Sequence, residues 1–488
     1  MMRSLYSAVS GLKTHQTRMD VIGNNIANVN TEAFKASSVR FSEIMYQTTS
    51  GASSGNGATG TGGKNANAAT GAAGTNAKQI GLGVKSGATA VNITGTGSAE
   101  TTGNPFDLRL NDKNATNFFV VSDGTNRLFT RAGDFYVDGN GYLCMSSTGY
   151  TLQGWQVDAK GNVIKDTVSS LQVMSSATKT SAPEATTKAY VSGVLDKNDA
   201  QAADTGRIIT IGFFDDLGYN YTAKFGIKKT NTDGTYDVTL KDIVDSKGNS
   251  IFDVDKDGNF ITSQGPNGQT MYSYKGRAVD PQTIFEDASL VFDQSEGTFT
   301  SISSANSPAA KTINLNLSVL NTQDASINGS NFSNIEVDFS KSMNYNNNGT
   351  STIGGMNGDL QGDGKGKALG ALTGITVSDD GKIYGSYDNG NTVLLCQIAV
   401  AQFANASGLE KIGDNCYQST LNSGEFDGIG VEISADGGSI SSGELEMSNV
   451  DLSSQFTDMI VTQRGFQANS RVITTSDTLL EELINLKR

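Results

Sequence analysis

The residues of this chain that could bind a metal ion lie near its middle, at Asp253, Asp255, Asp257 and Gly258. Acidic residues at alternate positions before a glycine open the calcium loops of EF-hands, because their oxygens converge on one hard cation. The twelfth position of such a loop must supply a bidentate glutamate, but Gln264 stands there and no helical pattern flanks the segment. We interpret the segment as a hairpin turn, and a secreted calcium-binding β adhesin stays as an alternative.

A serine nucleophile is suggested by the pattern Gly51-Ala52-Ser53-Ser54-Gly55, and a dinucleotide site by Gly55, Gly57 and Gly60. Both patterns require a preceding strand, whereas these residues lie in low-complexity sequence, so we interpret them as chance matches. His15 is the single histidine, which leaves Ser53 without an evident general base, and a packed or interfacial histidine is the simpler interpretation. We predict a protein that is not an enzyme, with no catalytic residue, cofactor or metal site; a hydrolase using Ser53 is the weakest alternative.

The composition of the chain limits its partners. Lys and Arg total 36 against 50 Asp and Glu over 488 residues, a net charge of -14, which disfavours binding to nucleic acid or to an anionic membrane. Cys144, Cys396 and Cys416 are far apart and odd in number, so we expect buried thiols and no disulfide framework. Without a secretory signal or an apolar run of about 18 residues, the sequence favours cytoplasmic residence or a dedicated export route.

Apolar residues recur at every seventh position near both ends of the chain. The C-terminal series is Leu452, Met459, Phe466, Ile473 and Leu480, with Phe456 and Gln463 on the interleaved line. The N-terminal series is Leu5, Leu12, Met19 and Ile26, with Ala8, His15 and Ile22 interleaved. Because 3.5-residue spacing keeps one stripe of a helix facing a partner, these series predict helices within 1–30 and 448–488 that pair as a coiled coil. We expect Ser4 to cap the first helix.

Polar side chains interrupt both helical series. Asn24, Asn25 and Asn28 lie within the first helical segment, and the second contains Gln463, Arg464, Gln467 and Asn469. A buried amide specifies register at a cost in stability, since an unpaired one loses roughly 1 to 3 kcal/mol. A fixed register is what a polymer interface needs, and an ordinary intramolecular pair of helices with tolerated amides is the alternative.

The energetics of the two helices favour assembly. Each fully buried apolar side chain stabilises by roughly 1.5 to 3 kcal/mol, whereas ordering the backbone costs about 1 to 2 kcal/mol for every residue. The helices should therefore be marginal alone and become ordered when neighbouring copies bury them. The predicted self-assembly residues are Leu5, Leu12, Met19, Ile22, Asn24, Asn25, Ile26, Asn28, Leu452, Phe456, Met459, Gln463, Arg464, Phe466, Asn469, Ile473 and Leu480.

The sequence between the helices is typical of β structure. Short apolar runs alternate with turns in which Asp precedes Gly, and both residues tolerate the positive φ of tight hairpins. Polar, small-residue segments near 178–187 and 340–367 bracket an insertion that shows strand periodicity and no helical period. The predicted domains are a connector at 31–82 with a Gly/Ala/Asn-rich flexible loop over 48–78, an inner β domain from 83–177 and 368–447, an inserted outer β domain at 178–345, and a linker at 346–367. The fold class is mainly β and multi-domain with α-helical termini, and the β domains are nested because outgoing and returning segments build them together.

Long signatures at both termini carry a family resemblance. The first is Asp20-Val21-Ile22-Gly23-Asn24-Asn25-Ile26-Ala27-Asn28-Val29-Asn30-Thr31 with Phe34-Lys35 after it; the second runs over 444–452 and 459–469. Arg131-Ala132-Gly133-Asp134-Phe135 and Phe403-Ala404-Asn405 add likeness in the inner β domain. The chain resembles the family of bacterial flagellar rod and hook proteins. Its length and insertion are similar to the hook members, and a distal-rod-like axial protein is the alternative.

The resemblance implies a structural, non-enzymatic subunit that self-assembles into a curved tubular polymer. Such a polymer acts as a universal joint between the motor or rod and the filament, with terminal helices lining a central channel. The implied partners are other copies of the chain, the distal rod protein, the hook cap protein, the hook–filament junction protein and the flagellar type III export apparatus. The implied location is extracellular, in the hook of the basal body, without nucleic acid and without membrane insertion.

Overall fold

The computed structural model describes residues 2–53, 74–158, 161–266, 268–304, 308–321 and 331–486. Long helices lie at both ends of the chain and strands form most of the remainder, which confirms the expected fold class. The chain forms two compact units. Unit 1 contains Met1–Ser175, Ile375–Tyr384 and Leu394–Arg488, and unit 2 contains Ser176–Gly374 and Gly385–Val393.

The described residues form four α-helices, α1 (Met2–Ala27), α2 (Ala200–Ala203), α3 (Pro281–Ile284) and α4 (Leu452–Asn485). The side chain of Asp451 caps α4 by accepting hydrogen bonds from the N–H groups of Ser453 and Ser454, which would otherwise lack partners. The expected cap of α1 was wrong, because the helix begins at Met2 and Ser4 lies inside it. Across the described ranges, no helix has the length and apolar character needed to cross a membrane.

The outgoing half of unit 1 carries twelve strands. They are β1 (Ser37–Glu43), β2 (Tyr46–Ser50), β3 (Lys78–Gly81), β4 (Val84–Val91), β5 (Ala99–Thr101), β6 (Leu108–Asn111), β7 (Asn117–Ser122), β8 (Arg127–Thr130), β9 (Phe135–Val137), β10 (Leu143–Met145), β11 (Thr151–Gln156) and β12 (Ser169–Ser170). β1 and β4 form an antiparallel ribbon, and β2 pairs with β3. The ends of the loop that we predicted over 48–78 are therefore strands, and 54–73 lie outside the described residues.

Unit 2 consists of antiparallel and mixed sheets around its own apolar core. Its strands are β13 (Thr180–Ser181), β14 (Lys188–Val194), β15 (Arg207–Phe214), β16 (Asn220–Lys229), β17 (Thr235–Asp245), β18 (Thr262–Gln264), β19 (Thr270–Tyr274), β20 (Arg277–Val279), β21 (Ala288–Phe292), β22 (Phe299–Ser304), β23 (Thr312–Leu315), β24 (Ile335–Met343) and β25 (Gly354–Asn357). β15, β16, β17, β21 and β22 form an antiparallel meander, while β14 pairs in parallel with β24. Alternating inward residues such as Ile211, Phe225 and Val238 build the core.

Two local expectations for the insertion were wrong. It contains helices α2 and α3, each a single turn capped by an aspartate, Asp199 or Asp280, and turns this short show no periodicity. The strand periodicity of the insertion extends over 312–320, but β23 ends at Leu315 and the chain continues as a 3₁₀ turn, Leu317–Leu320. Residues 346–367, assigned above to a linker, include β25, which pairs with β14. The domain boundaries stay predictions.

Returning segments complete the sheets of unit 1. After β26 (Gly370–Val377), β27 (Lys382–Tyr387) and β28 (Thr392–Ile398), whose ranges draw on both units, come β29 (Val400–Gln402), β30 (Glu410–Gly413), β31 (Cys416–Gln418), β32 (Ser439–Ser442) and β33 (Glu444–Glu446). β29 pairs with β7, β31 with β8, β32 with β6 and β33 with β5. Phe118, Phe129, Trp155 and Tyr417 are buried in the core between them. Strands separated by hundreds of residues thus share one core, and both terminal helices join the same unit.

Candidate assembly surface on the terminal helices

Helices α1 and α4 pack against each other, and α1 also packs against β1 and β4. The buried residues of α1 are Ala8, Gly11, Thr14, Ile22 and Asn25, and those of α4 are Thr462 and Ser476. Most are small, which brings the two backbones close together. The contact line of α1 therefore follows the interleaved series of Ala8 and Ile22 more closely than the series of Leu5 and Leu12.

A glycine on each helix makes room for a side chain of the other. A Cβ atom on Gly11 would lie 2.8 Å from Nδ2 of Asn469, and one on Gly465 would lie 2.6 Å from Cε1 of His15. The imidazole of His15 also meets the ring of Phe41 edge to face, with centroids 5.5 Å apart. Burial, with a smaller contribution from the charge of Arg18, lowers the pKa of His15. The single histidine is thus a packing residue between helices.

Asn25 ties α1, β1 and α4 together. Its side chain is 1% exposed. Nδ2 donates to the carbonyl of Ser37 at 2.8 Å and to Oε1 of Gln455 at 3.1 Å, while the N–H of Ser37 donates to Oδ1 at 3.0 Å. Of the three asparagines near the end of α1, Asn25 is the one that is buried and bonded to both β1 and α4, and its role in fixing the register stays a prediction. A half-exposed ion pair, Arg18 to Asp458 at 2.9 Å, adds a weak second link.

The predicted assembly residues fall into three groups in the isolated chain. Two are buried, namely Ile22 and Asn25; nine are half-buried, namely Leu5, Leu12, Met19, Ile26, Asn28, Met459, Asn469, Ile473 and Leu480. The exposed group consists of Asn24, Leu452, Phe456, Gln463, Arg464 and Phe466. Within that group Asn24 accepts a hydrogen bond from Asn28, and Arg464 donates to Gln467. The structure thus brings part of the set into the helix pair and leaves the rest exposed, namely Asn24 on α1 and five residues on α4.

Nine large apolar side chains of α4 are exposed in the isolated chain, and we refer to them together as the outer face of α4. Exposed large apolar side chains along it are Leu452, Phe456, Ile460, Val461, Phe466, Val472, Leu479, Leu483 and Ile484. On α1, Met2, Tyr6 and Val9 are exposed as well. Exposed apolar side chains grouped on one element mark an interaction site. The helix pair therefore has an inner face that closes one molecule and an outer face that is exposed among the described residues.

The other candidate sites have structural roles. In the supposed calcium loop, Oδ1 of Asp255 accepts from the N–H groups of Asp257 and Asn259, and Oδ2 of Asp253 accepts from Ser273 and Gly276. These hydrogen bonds lower the pKa of both carboxyls. Across the described part of the chain, no three His, Cys, Asp or Glu side chains are grouped so that they could hold a metal ion. The segment is the hairpin turn we expected.

The patterns near Ser53 lie at the edge of what the structure describes. The hydroxyl of Ser53 lies 2.6 Å from that of Thr75, and the two residues form a β-bridge. Gly55, Gly57 and Gly60 lie outside the described residues. The described contacts of Ser53 are those of a strand residue.

All three thiols are buried and free, as expected from their number and spacing. Burial raises the pKa of Cys396 to about 12 and, together with the charge of Asp414, that of Cys416 to about 11. Burial and the charge of Asp138 also raise the pKa of Cys144. Because the thiolate is the reactive form, these side chains behave as inert core residues.

Several interface residues were absent from the prediction. Gly11, Gly465, Thr462 and Ser476 lie between the helices, and Gln455 bonds Asn25. We searched for apolar residues at heptad spacing, so small and polar members of the stripe were passed over. Their own spacing was a usable signal, since Gly465 follows Thr462 by three residues and Ser476 follows Asn469 by seven.

Two known protein families match the segments that contain the terminal helices. The family described as "Flagella basal body rod protein" matches residues 5–35, and that described as "Flagellar basal body rod FlgEFG protein C-terminal" matches residues 441–486. These matches cover α1 with its connector and α4 with the strands before it. The paired helices are therefore those of a flagellar axial protein.

Relatives that are similar over their whole length show which kind of flagellar axial protein this chain resembles. The chain is 35% identical over 502 residues to "Flagellar hook protein FlgE" of Borreliella burgdorferi and 33% identical over 533 residues to that of Treponema pallidum, with all of each chain covered. The solved "Helicobacter pylori flagellar hook protein FlgE2" is 14% identical with a TM-score of 0.36, covering 71% of this chain and 100% of that one. The full-length identities show that this chain belongs to the flagellar hook protein family.

Proposed function

We propose that this protein is the structural subunit of the flagellar hook and that it polymerises through α1 and α4 into a curved tube. The tube joins the motor and rod to the filament and transmits torque as a universal joint. The observation that carries this proposal is the apolar outer face of α4. Burial of those side chains by neighbouring copies would supply the main association energy, because the hydrophobic effect scales with the apolar area removed from water.

The two faces of the helix pair have different tasks in this proposal. The inner face is built from glycines, small residues and the Asn25 hydrogen bonds, which fix one register within a molecule. The outer face carries exposed apolar side chains such as Phe456 and Ile460, whose non-directional contacts can shift between neighbouring copies. A tube that bends while it rotates needs contacts between copies that can shift without the subunit unfolding.

The proposed surroundings follow from the family. Neighbours at the two ends of the tube are the distal rod protein on one side and the hook cap protein, later the hook–filament junction protein, on the other. The subunit reaches the extracellular end of the growing tube through the flagellar type III export apparatus. A net charge of -14 and buried, unpaired thiols suit passage of an unfolded chain through a narrow channel.

Two full-length variants test the outer face. Ile460→Glu places a charge on an exposed α4 residue, and Leu421→Glu makes the same change at an exposed apolar residue in a turn of unit 1. We expect both to fold, and we expect Ile460→Glu alone to abolish polymer in sedimentation and negative-stain microscopy. Equal assembly of the two variants would contradict the proposal.

A deletion tests the helices together. A chain lacking 1–30 and 448–488 should remain a soluble monomer whose buried Trp155 keeps its native fluorescence. Polymer formed by that truncated chain would show that the association energy lies in the β units.

A further inference from the structure

Four charged residues meet where the two terminal connectors reach unit 1. Glu446, at the end of β33, is 2% exposed, and Lys35 and Arg131 are 1% exposed. Oε1 of Glu446 accepts from Nζ of Lys35 at 2.7 Å and from the N–H of Gly97 at 2.9 Å. Oε2 accepts from Nε of Arg131 at 3.0 Å and lies 2.9 Å from its Nη2. One carboxylate thus binds the connector after α1, the connector before α4 and the β sheet.

The guanidinium of Arg131 donates four hydrogen bonds. Besides Glu446, Nη1 donates to Oδ2 of Asp112 at 2.6 Å and to the carbonyl of Asn117 at 2.7 Å, and Nη2 donates to the carbonyl of Leu110 at 3.3 Å. The cluster holds two cations and two anions, so its formal charges cancel. The planar fork of the guanidinium, which bonds several acceptors at once, is the kind of geometry that Arg supports and Lys does not.

Backbone hydrogen bonds continue the junction on both sides of the cluster. The N–H of Ala33 donates to the carbonyl of Glu446 at 2.7 Å, and the N–H of Met447 donates to that of Ser98 at 2.9 Å. The N–H of Ala36 donates to Oδ1 of Asn449 at 2.8 Å. Both connectors are therefore bound to each other within a few residues of the ends of α1 and α4.

A buried ion cluster is a poor way to gain stability, because desolvation offsets most of its attraction and apolar residues of similar volume do as well. What it does provide is a single geometry, because directional hydrogen bonds from Lys35 and Arg131 to Glu446 specify which groups lie next to each other. An apolar junction would tolerate rotation of the helix pair about its connectors. The directional hydrogen bonds of this cluster oppose such rotation.

We propose that Lys35, Arg131, Glu446 and Asp112 form a positioning site that fixes the direction in which the helix pair leaves unit 1. The inference rests on the proposed function, because a fixed direction matters when every copy must present its helices to its neighbours in the same way. In this account the apolar residues stabilise the β core. The cluster determines how α1 and α4 are oriented relative to that core.

The test uses full-length variants with a matched control. Glu446→Gln keeps the shape and removes the charge, Arg131→Lys keeps the charge and removes the planar fork, and Lys35→Met alters only the N-terminal connector. The control is Glu444→Gln, two residues from Glu446, which breaks the partly exposed pair with Arg109. Trp155 fluorescence reports the core of unit 1, hydrogen exchange of 33–37 and 446–449 reports the junction, and sedimentation reports assembly.

We expect the three cluster variants to keep native fluorescence and slow exchange in β7 and β8, and to lose protection at the junction. Their assembly should need a protein concentration more than about tenfold higher than wild type, whereas Glu444→Gln should match wild type. Protected junctions in the variants, or assembly at the wild-type concentration, would overturn the proposal. So would loss of protection throughout unit 1 in Lys35→Met, which would make the cluster part of the core. If wild-type protein failed to polymerise, the proposed function would fall, while the exchange measurement would still decide the role of the cluster.

Discussion

Replacing Asn25 by Ala should weaken the packing of α1 against both β1 and α4. The change removes three hydrogen bonds, two to the backbone of Ser37 and one to Gln455, at a residue that is 1% exposed. At about 1 kcal/mol for each hydrogen bond, the loss is about 3 kcal/mol. The same free energy corresponds to roughly a hundredfold shift in the equilibrium for helix pairing.

The neighbouring asparagine gives a matched control. Asn24 is exposed and its side chain accepts a hydrogen bond from Asn28, the residue after α1, so Asn24→Ala should cost about 0.5 kcal/mol or less. We would measure urea unfolding by circular dichroism at the helical minimum and the lowest concentration at which polymer forms. Asn25→Ala should lower the free energy of unfolding and raise the concentration needed for polymer, and Asn24→Ala should change neither quantity. Equal effects of the two variants would refute the assignment of Asn25 as the register-fixing amide.

Three further predictions concern unit 1. Gly97→Ala should destabilise the protein by about 3 kcal/mol or more in thermal unfolding, because the new Cβ would lie 1.7 Å from the carbonyl oxygen of Met447. The control Gly139→Ala has open space around its Cβ and should be neutral. Similar melting temperatures for the two variants would disprove the clash. Cys396 should resist iodoacetamide at about pH 8 until the chain is unfolded, since burial raises the pKa of its thiol to about 12; rapid labelling of native protein would show an open core. Burial alone would raise the pKa of Glu446, but its cationic partners lower the pKa below the ordinary value. The charged carboxylate therefore contributes fully to the stability of the folded chain above about pH 4.3, the ordinary pKa of a glutamate. This contribution is lost as the pH falls through the lower pKa of the folded state. The difference in melting temperature between wild type and Glu446→Gln should therefore shrink on acidification, and a constant difference would contradict the account.

Sequence periodicity found the helices because a seven-residue repeat is a local property. It did not show which heptad line faces α4, since Leu5 and Leu12 look as suitable as Ala8 and Ile22 until the partner surface is known. Close approach depends on volume matching between helices, as at Gly465 and His15, and that matching joins residues from opposite ends of the chain. Strands such as β7 and β15 were predictable for the same local reason as the helices.

Long-range pairing could not be predicted from single residues. The β1–β4 ribbon closes across the low-complexity segment, and neither strand has an alternation that identifies its partner. Lys35 and Glu446 are 411 residues apart, and Arg131 and Glu446 are 315 apart. In the sequence they are ordinary charged residues, because burial and charge pairing appear only after three segments meet. The terminal signatures contained Lys35 and Glu446 without showing that they touch.

The central claim is that the paired terminal helices hold the polymer together, and a cryo-EM map of the assembled protein tests it most directly. The account predicts a tube in which α1 and α4 lie innermost, with Phe456, Ile460 and Leu479 of each copy covered by the helices of its neighbours. A tube whose copies touch only through their β units, with the outer face of α4 left in water, would contradict it.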